Sequence, residues 1–299
     1  MHQVSLILLG SSLMACTDGG TAADTGATDT GPATYPSAFA EAKYSAKSLI
    51  VLPEDEGFDL DGDGVVNNKL PTLLALVDPF TTDDMSRDGV NDTVAEMQAE
   101  GQLVLLLDAL HDKGVLQVDL LLAARDADSD ALVMDPSSYG EDGTPNSRFV
   151  GAFEDQTQFA VLAPTADLPF PVVAGEAPVQ IPLLDAVIDG EFHDLEAGIP
   201  DTGNWTAGFG VMVGALPVQG LIDQVVEKIV PPEEPVTGGE PDTVYYDPDS
   251  YLGMSRDDFM VWVTDLLNEN VADLWMDDGS RAVSAALAWE VQLAPEWPE

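Results

Sequence analysis

Leu103-Val104-Leu105-Leu106-Leu107 and Val115-Leu116-Gln117-Val118-Asp119-Leu120-Leu121-Leu122, parted by a break containing His111-Asp112-Lys113-Gly114, decide how this chain folds. In the second run Leu116, Val118 and Leu120 alternate with Gln117 and Asp119, the two-residue period of a half-buried strand. The polar break ends in glycine, so the two runs read as a β-hairpin. Residues 149–153 and 158–162 flank Glu154-Asp155-Gln156-Thr157 and read as another. Apolar pieces punctuated by Pro and Gly continue at 172–173, 179–181 and 183–188. Gly208-Phe209-Gly210-Val211-Met212-Val213-Gly214 reads as a strand with close backbone packing. Short strands at this spacing predict an α+β fold that is predominantly antiparallel β, a sandwich or partly open barrel with a few packed helices.

Outward from these strands the period changes. A first strand runs over 44–52 and is closed by Pro53. Residues 68–77 predict a short helix with Leu70, Leu73, Leu74 and Val77 on one face. A second helix over 91–99 presents Val94 and Met97 and ends near Gly101. Pro217 opens a helix whose pairs Leu221/Ile222, Val225/Val226 and Ile229/Val230 recur every four residues until Pro231-Pro232 stops it. Residues 231–250 form a Pro/Gly/acidic connector. Ser255-Arg256-Asp257-Asp258 resembles a capping box, and behind it Phe259, Trp262, Val263, Leu266, Leu267, Val271 and Leu274 form an apolar stripe, read as core packing. Residues 282–293 return as a strand. Residues 38–299 therefore read as one β-rich globular domain with a helical C-terminal third.

Charge narrows the function. The chain carries 54 acidic and 10 basic residues, a net −44. Such a surface repels nucleic acid and anionic lipid heads and attracts cations, so no nucleic-acid partner is expected. Two physical origins compete: adaptation to high salt, or neutralisation by divalent ions on folding.

The N-terminus supplies an address. Residues 4–9 are an apolar run too short to span a bilayer, followed by small residues and by Leu13-Met14-Ala15-Cys16. Cys16 is the only cysteine in the chain. The segment resembles the lipobox of bacterial lipoproteins, although Met1-His2-Gln3 brings no Lys or Arg. The resemblance implies a signal peptide over 1–15, lipidation of Cys16 and a membrane anchor. Thr17 stands where a retention aspartate would hold the protein at the inner membrane, which implies the outer membrane or cell surface. Residues 16–37, low in complexity and rich in Gly, Thr, Ala and Asp, read as the lipidated cysteine and a flexible tether.

Asp59-Leu60-Asp61-Gly62-Asp63-Gly64-Val65-Val66-Asn67 carries the strongest chemical signal. Hard cations take several oxygens at short range, and alternating carboxylates around a glycine turn supply them. On an EF-hand-like frame Asp59, Asp61 and Asp63 fill the first, third and fifth places. Val65 offers its carbonyl, Asn67 the ninth-position oxygen, and Val66 is expected to point inward as the loop's anchor. The segment resembles the calcium loops of dockerins and thrombospondin type 3 repeats, which implies bound Ca2+. At the twelfth place Leu70 replaces the carboxylate, so a water or a remote acid must complete the shell. Asp84, Ser86, Asp88 and Asp92 repeat the frame more weakly, with Ala95 at the twelfth place, and Asp126, Asp128 and Asp130 share only the spacing. The order signal, tether, strand, acidic loop, helix, strands is similar to that of acidic lipoproteins of myxobacteria, a resemblance that implies no activity.

Nothing else assembles an active site. His111 is expected in an exposed hairpin turn and His193 in a surface loop, without a second ligand at metal-binding spacing. Ser255 reads as a helix cap, since the closing glycine of a nucleophile elbow is missing. Two carboxylates suffice for glycosidase chemistry, but 54 acids single out no pair. The sequence thus leans away from an enzyme and toward a calcium-stabilised envelope lipoprotein with an adhesion, binding or structural role. A secreted saccharide hydrolase and an apolar-ligand carrier are the alternatives.

Overall fold

Buried and less buried side chains alternate along several strands, and the sheet that they form closes into a barrel. The computed structural model describes residues 40–78, 84–112, 114–126, 128–154, 157–170, 178–193, 206–226, 255–294 and 296–298. These fall within one compact unit, Thr34–Glu299. The signal peptide, Cys16, the tether, residues 172–173, Ile229/Val230 and the 231–250 connector lie outside the described residues.

Among the described residues, ten strands form one antiparallel sheet: β1 (Ala40–Val51), β2 (Val104–Asp112), β3 (Val115–Arg125), β4 (Leu132–Met134), β5 (Ser147–Phe153), β6 (Gln158–Phe170), β7 (Val179–His193), β8 (Ala207–Pro217), β9 (Leu274–Trp275) and β10 (Arg281–Leu293). Eight follow one another as β1-β2-β3-β5-β6-β7-β8-β10, while β4 and β9 are short additions beside β3 and β10. Pairing of β1 with β10, from Tyr44↔Leu293 to Val51↔Leu287, closes the ring. The barrel is therefore closed, neither a sandwich nor partly open, because the first and last long strands find each other. Closure removes the sheet edges that would otherwise invite aggregation.

The bore is filled, as eight strands leave room for little more than side chains. Tyr44 stacks on Phe192 with ring centroids 5.1 Å apart, and Phe192 on Phe159 at 4.6 Å. Burial pushes the Tyr44 phenol above its ordinary pKa. Trp289 lies 6.4 Å from Phe159 and fits because Gly190 and Gly210 carry no side chain. A Cβ at those positions would stand 2.9 and 2.8 Å from the indole. Higher in the bore, Leu49, Leu107, Leu120, Ile188 and Met212 border a void of about 10 Å³, room for at most one water.

The two ends differ. At one, the β2–β3 and β5–β6 turns lie beside the start of β1, since Ala40 pairs with His111. At the other sit the helices α1 (Leu70–Val77), α2 (Arg87–Ala99), α3 (Val218–Leu221) and α4 (Arg256–Leu266). All four predicted apolar residues of α1 are buried, and they meet Phe170, Ile181, Leu216 and Leu221 over the end of the barrel. Phe170 and Ile181 belong to the part of the β6–β7 pair that outruns β5. Ser255 caps α4 as expected, accepting the Asp258 amide at 3.1 Å, and a π-turn over Leu267–Val271 carries the stripe onward.

Several expectations change. Helix α2 begins at Arg87, four residues early, because Ser86 caps it by accepting the Gly89 amide. Residues 179–181 and 183–188 belong to one strand, β7, continued through a bulge opposite β8. The described part of the C-terminal third alternates strands with helices. Among the described residues, no helix is long and apolar enough to cross a membrane. The bore is apolar, while Lys43, Asp119, Arg148, Asp189 and Glu191 occupy positions of opposite parity on the wall. That is the reverse of a lipid-embedded barrel.

Candidate metal centre

The acidic loop leaves the barrel where β1 ends and returns at α1. A bridge between Phe58 and Asn67 closes its neck. Gly62 and Gly64 adopt φ of 80° and 86°, left-handed conformations that cost a side chain dearly, so the chain can reverse twice within three residues. Asp59 then turns back into the loop. Its Oδ1 accepts the amides of Gly62 at 2.7 Å and Asp63 at 3.1 Å, and its Oδ2 accepts that of Gly64 at 2.8 Å. Asp63 accepts the Val65 amide at 2.8 Å. One carboxylate oxygen from each of Asp59, Asp61 and Asp63 lies within 4.8 Å of the other two. Three like charges so close repel one another, and oxygens at this spacing could hold one hard divalent cation.

The rest of the predicted set is divided. Val65 is 61% exposed, leaving its carbonyl in an open part of the loop. Val66 is 41% exposed and is not the anchor; Leu60 takes that role, packing against the cluster of Ala215, Leu274 and Ala282 on the outer face of β8, β9 and β10. Asn67 is buried, but its oxygen accepts the Leu60 amide at 2.8 Å and its nitrogen donates to Asp273 at 3.4 Å. It therefore holds the loop shut. Leu70 is fully buried in α1.

The second frame does not form a loop. Hydrogen bonds from the Ser86 hydroxyl and then from its amide, the latter at 3.0 Å, hold the Asp84 carboxyl below the usual range, and Ser86 caps α2. Asp88 and Asp92 lie inside that helix, and Asp88 is paired with Arg87. A capping serine followed by a polar helix start mimics alternating ligands in sequence. At Asp126, Asp128 and Asp130 the Asp126 carboxylate instead caps a turn, accepting the amides of Asp128 and Ser129. Among the described residues, the only acidic or histidine cluster tight enough for a metal is the one at Asp59, Asp61 and Asp63.

Both histidines differ from expectation. His111 is 2% exposed; its Nε2 accepts the Gly114 amide at 3.2 Å, and its ring meets Phe153 edge-on. His193 ends strand β7 and packs against Phe209. A charged row on the barrel wall was invisible in the sequence. Lys43, Asp108, Asp119 and Arg148 come into register across β1, β2, β3 and β5. Arg148 donates to both oxygens of Asp119, at 2.8 and 2.9 Å. Burial raises the Asp108 carboxyl, with Lys43 opposing. Only the polar phase of the alternation at Asp119 pointed there.

Compared with known proteins, the chain matches no family model, no curated protein and no solved structure.

Proposed function

We propose that this chain is a calcium-stabilised lipoprotein of the bacterial cell envelope, anchored through Cys16 at the outer membrane or cell surface, with an adhesion, binding or structural role. The observation that carries the calcium is the convergence of Asp59, Asp61 and Asp63 within 4.8 Å around two left-handed glycines. The fold is consistent with an anchor. Strand β1 starts at the turn end of the barrel, the end opposite the acidic loop and the helices. The filled bore favours this reading over an apolar-ligand carrier. The two-point hold of Arg148 on Asp119 favours it over a hydrolase using the Asp108–Asp119 wall pair.

Thermal unfolding of residues 17–299 with calcium and with chelator tests the ion. A cation that binds only the folded state adds about 2.7 kcal/mol at a hundredfold excess over its dissociation constant. Asp61→Ala should remove that rise and leave the melting temperature in chelator unchanged; an equal loss in both conditions eliminates the ion. Fatty-acid labelling of the expressed chain, abolished by Cys16→Ser, tests the anchor.

A further inference from the structure

The segment that brings the acidic loop back to the barrel does more than connect. Strand β1 pairs with β10 as far as Val51↔Leu287, and Leu52 then donates its amide to the Ala286 carbonyl at 3.1 Å. There the main-chain ladder stops and Asn68 continues it. Its Nδ2 donates to the carbonyls of Leu52, Pro53 and Glu56 at 3.1, 2.9 and 3.1 Å. Its Oδ1 accepts the Ala286 amide at 3.2 Å. The carboxamide is thus inserted between the departing end of β1 and the edge of β10, and Asn68 is 1% exposed.

One residue on, Lys69 takes the place on β10 that β1 has left. Its amide reaches both the Ser284 carbonyl at 3.0 Å and the Ser284 hydroxyl at 2.9 Å. The Ser284 hydroxyl in turn donates to Asp273 at 2.6 Å, the carboxylate that also receives Asn67. The Lys69 ammonium pairs with Glu54 on the outgoing side of the loop. Both ends of the excursion are therefore stitched to the same strand, two residues apart, at the seam where the barrel closes.

We propose that residues 67–69 are a clasp that locks the first strand of the barrel onto its last, so that the strength of the β1–β10 seam is set from the acidic loop. The physical reason is position. A closed barrel has one junction between its first and last strands, and there the ring is zipped by the most distant parts of the chain. Buried polar groups at its end must stay paired, and Asn68 reaches four main-chain groups at once, its two N–H shared among three carbonyls. The clasp needs no ion, so it stands apart from the calcium reading.

Native-state hydrogen exchange on the full chain in chelator tests it, comparing wild type with Asn68→Ala and the milder Ser284→Ala. Amides at 49–52 and 284–288 should exchange about tenfold faster or more in the variants, while those at 150–153 and 159–162 stay close to wild type. Uniform acceleration of all strands, or no acceleration at the seam, overturns the clasp. If Asn68→Ala does not fold, Ser284→Ala alone decides, because it keeps every main-chain bond. Calcium titration of the same wild-type sample separates the two ideas. Seam-specific acceleration in a chain that takes up no calcium keeps the clasp and removes the cation.

Discussion

At the scale of single residues, burial rather than residue type decides chemistry. His111 sits beside a polar turn, where exposure is the ordinary expectation, yet its ring faces Phe153 and its Nε2 holds the Gly114 amide. Burial pushes the imidazole below its usual pKa, with Asp112 opposing. The unfolded chain then binds the proton more readily than the folded one. Stability from the neutral ring is complete above about 6.5 and is lost as pH falls through the lowered folded value. His111→Phe keeps the packing and strands the Gly114 amide. It should cost about 1 kcal/mol at pH 7.5, and the gap to wild type should narrow by pH 5. Urea unfolding at both pH values measures it, and a constant gap rejects the role given to the imidazole.

At the scale of elements, local patterns were legible where one face alone is buried. The spacing of Leu70, Leu73, Leu74 and Val77 names the inner face of α1, and all four are buried. Ser255 marks the start of α4 by its chemistry. The start of α2 was hidden because Asp88, Gly89, Asn91 and Asp92 are poor helix formers; packing of Val90, Val94 and Met97 overrides them. The wall row was hidden for another reason, since register between strands is a tertiary property. Its worth is measurable. The Asp119 side chain is 11% exposed, while that of Arg148 is 41% exposed. Arg148→Ala should cost about 1–2 kcal/mol after allowing for solvent screening, mostly by stranding the carboxylate. A double-mutant cycle with Asp119→Ala should recover part of that loss; strict additivity means the pair contributes nothing.

At the scale of the molecule, the net charge of −44 opposes compaction whatever the loop binds. The half-buried carboxyls of Asp108, Asp167 and Asp189 are raised, chiefly by burial. The stability they allow is full below about 3.9 and is lost as pH rises through their folded values. Screening should relieve the surface part of the repulsion, since the Debye length falls from about 10 Å at 0.1 M salt to about 3 Å at 1 M. In chelator at pH 7.5 the melting temperature should climb with sodium chloride, and calcium should add a step that Asp61→Ala lacks. A melting temperature indifferent to salt means that the acidic groups lie too far apart, or too well solvated, to oppose folding.

The sequence by itself determined the β-rich class, the hairpins, the face of α1, the cap of α4 and the three-aspartate turn. Each depends on residues within about a dozen positions of one another, where period, capping and turn chemistry act directly. Tertiary structure alone decided that the barrel closes, that Leu60 rather than Val66 anchors the loop, and that Asn67 is drawn to Asp273. It also decided that Asn68 completes the ladder between β1 and β10. Those contacts join positions as far apart in the chain as Tyr44 and Leu293. No local pattern encodes them, because they exist only once distant strands have come into register.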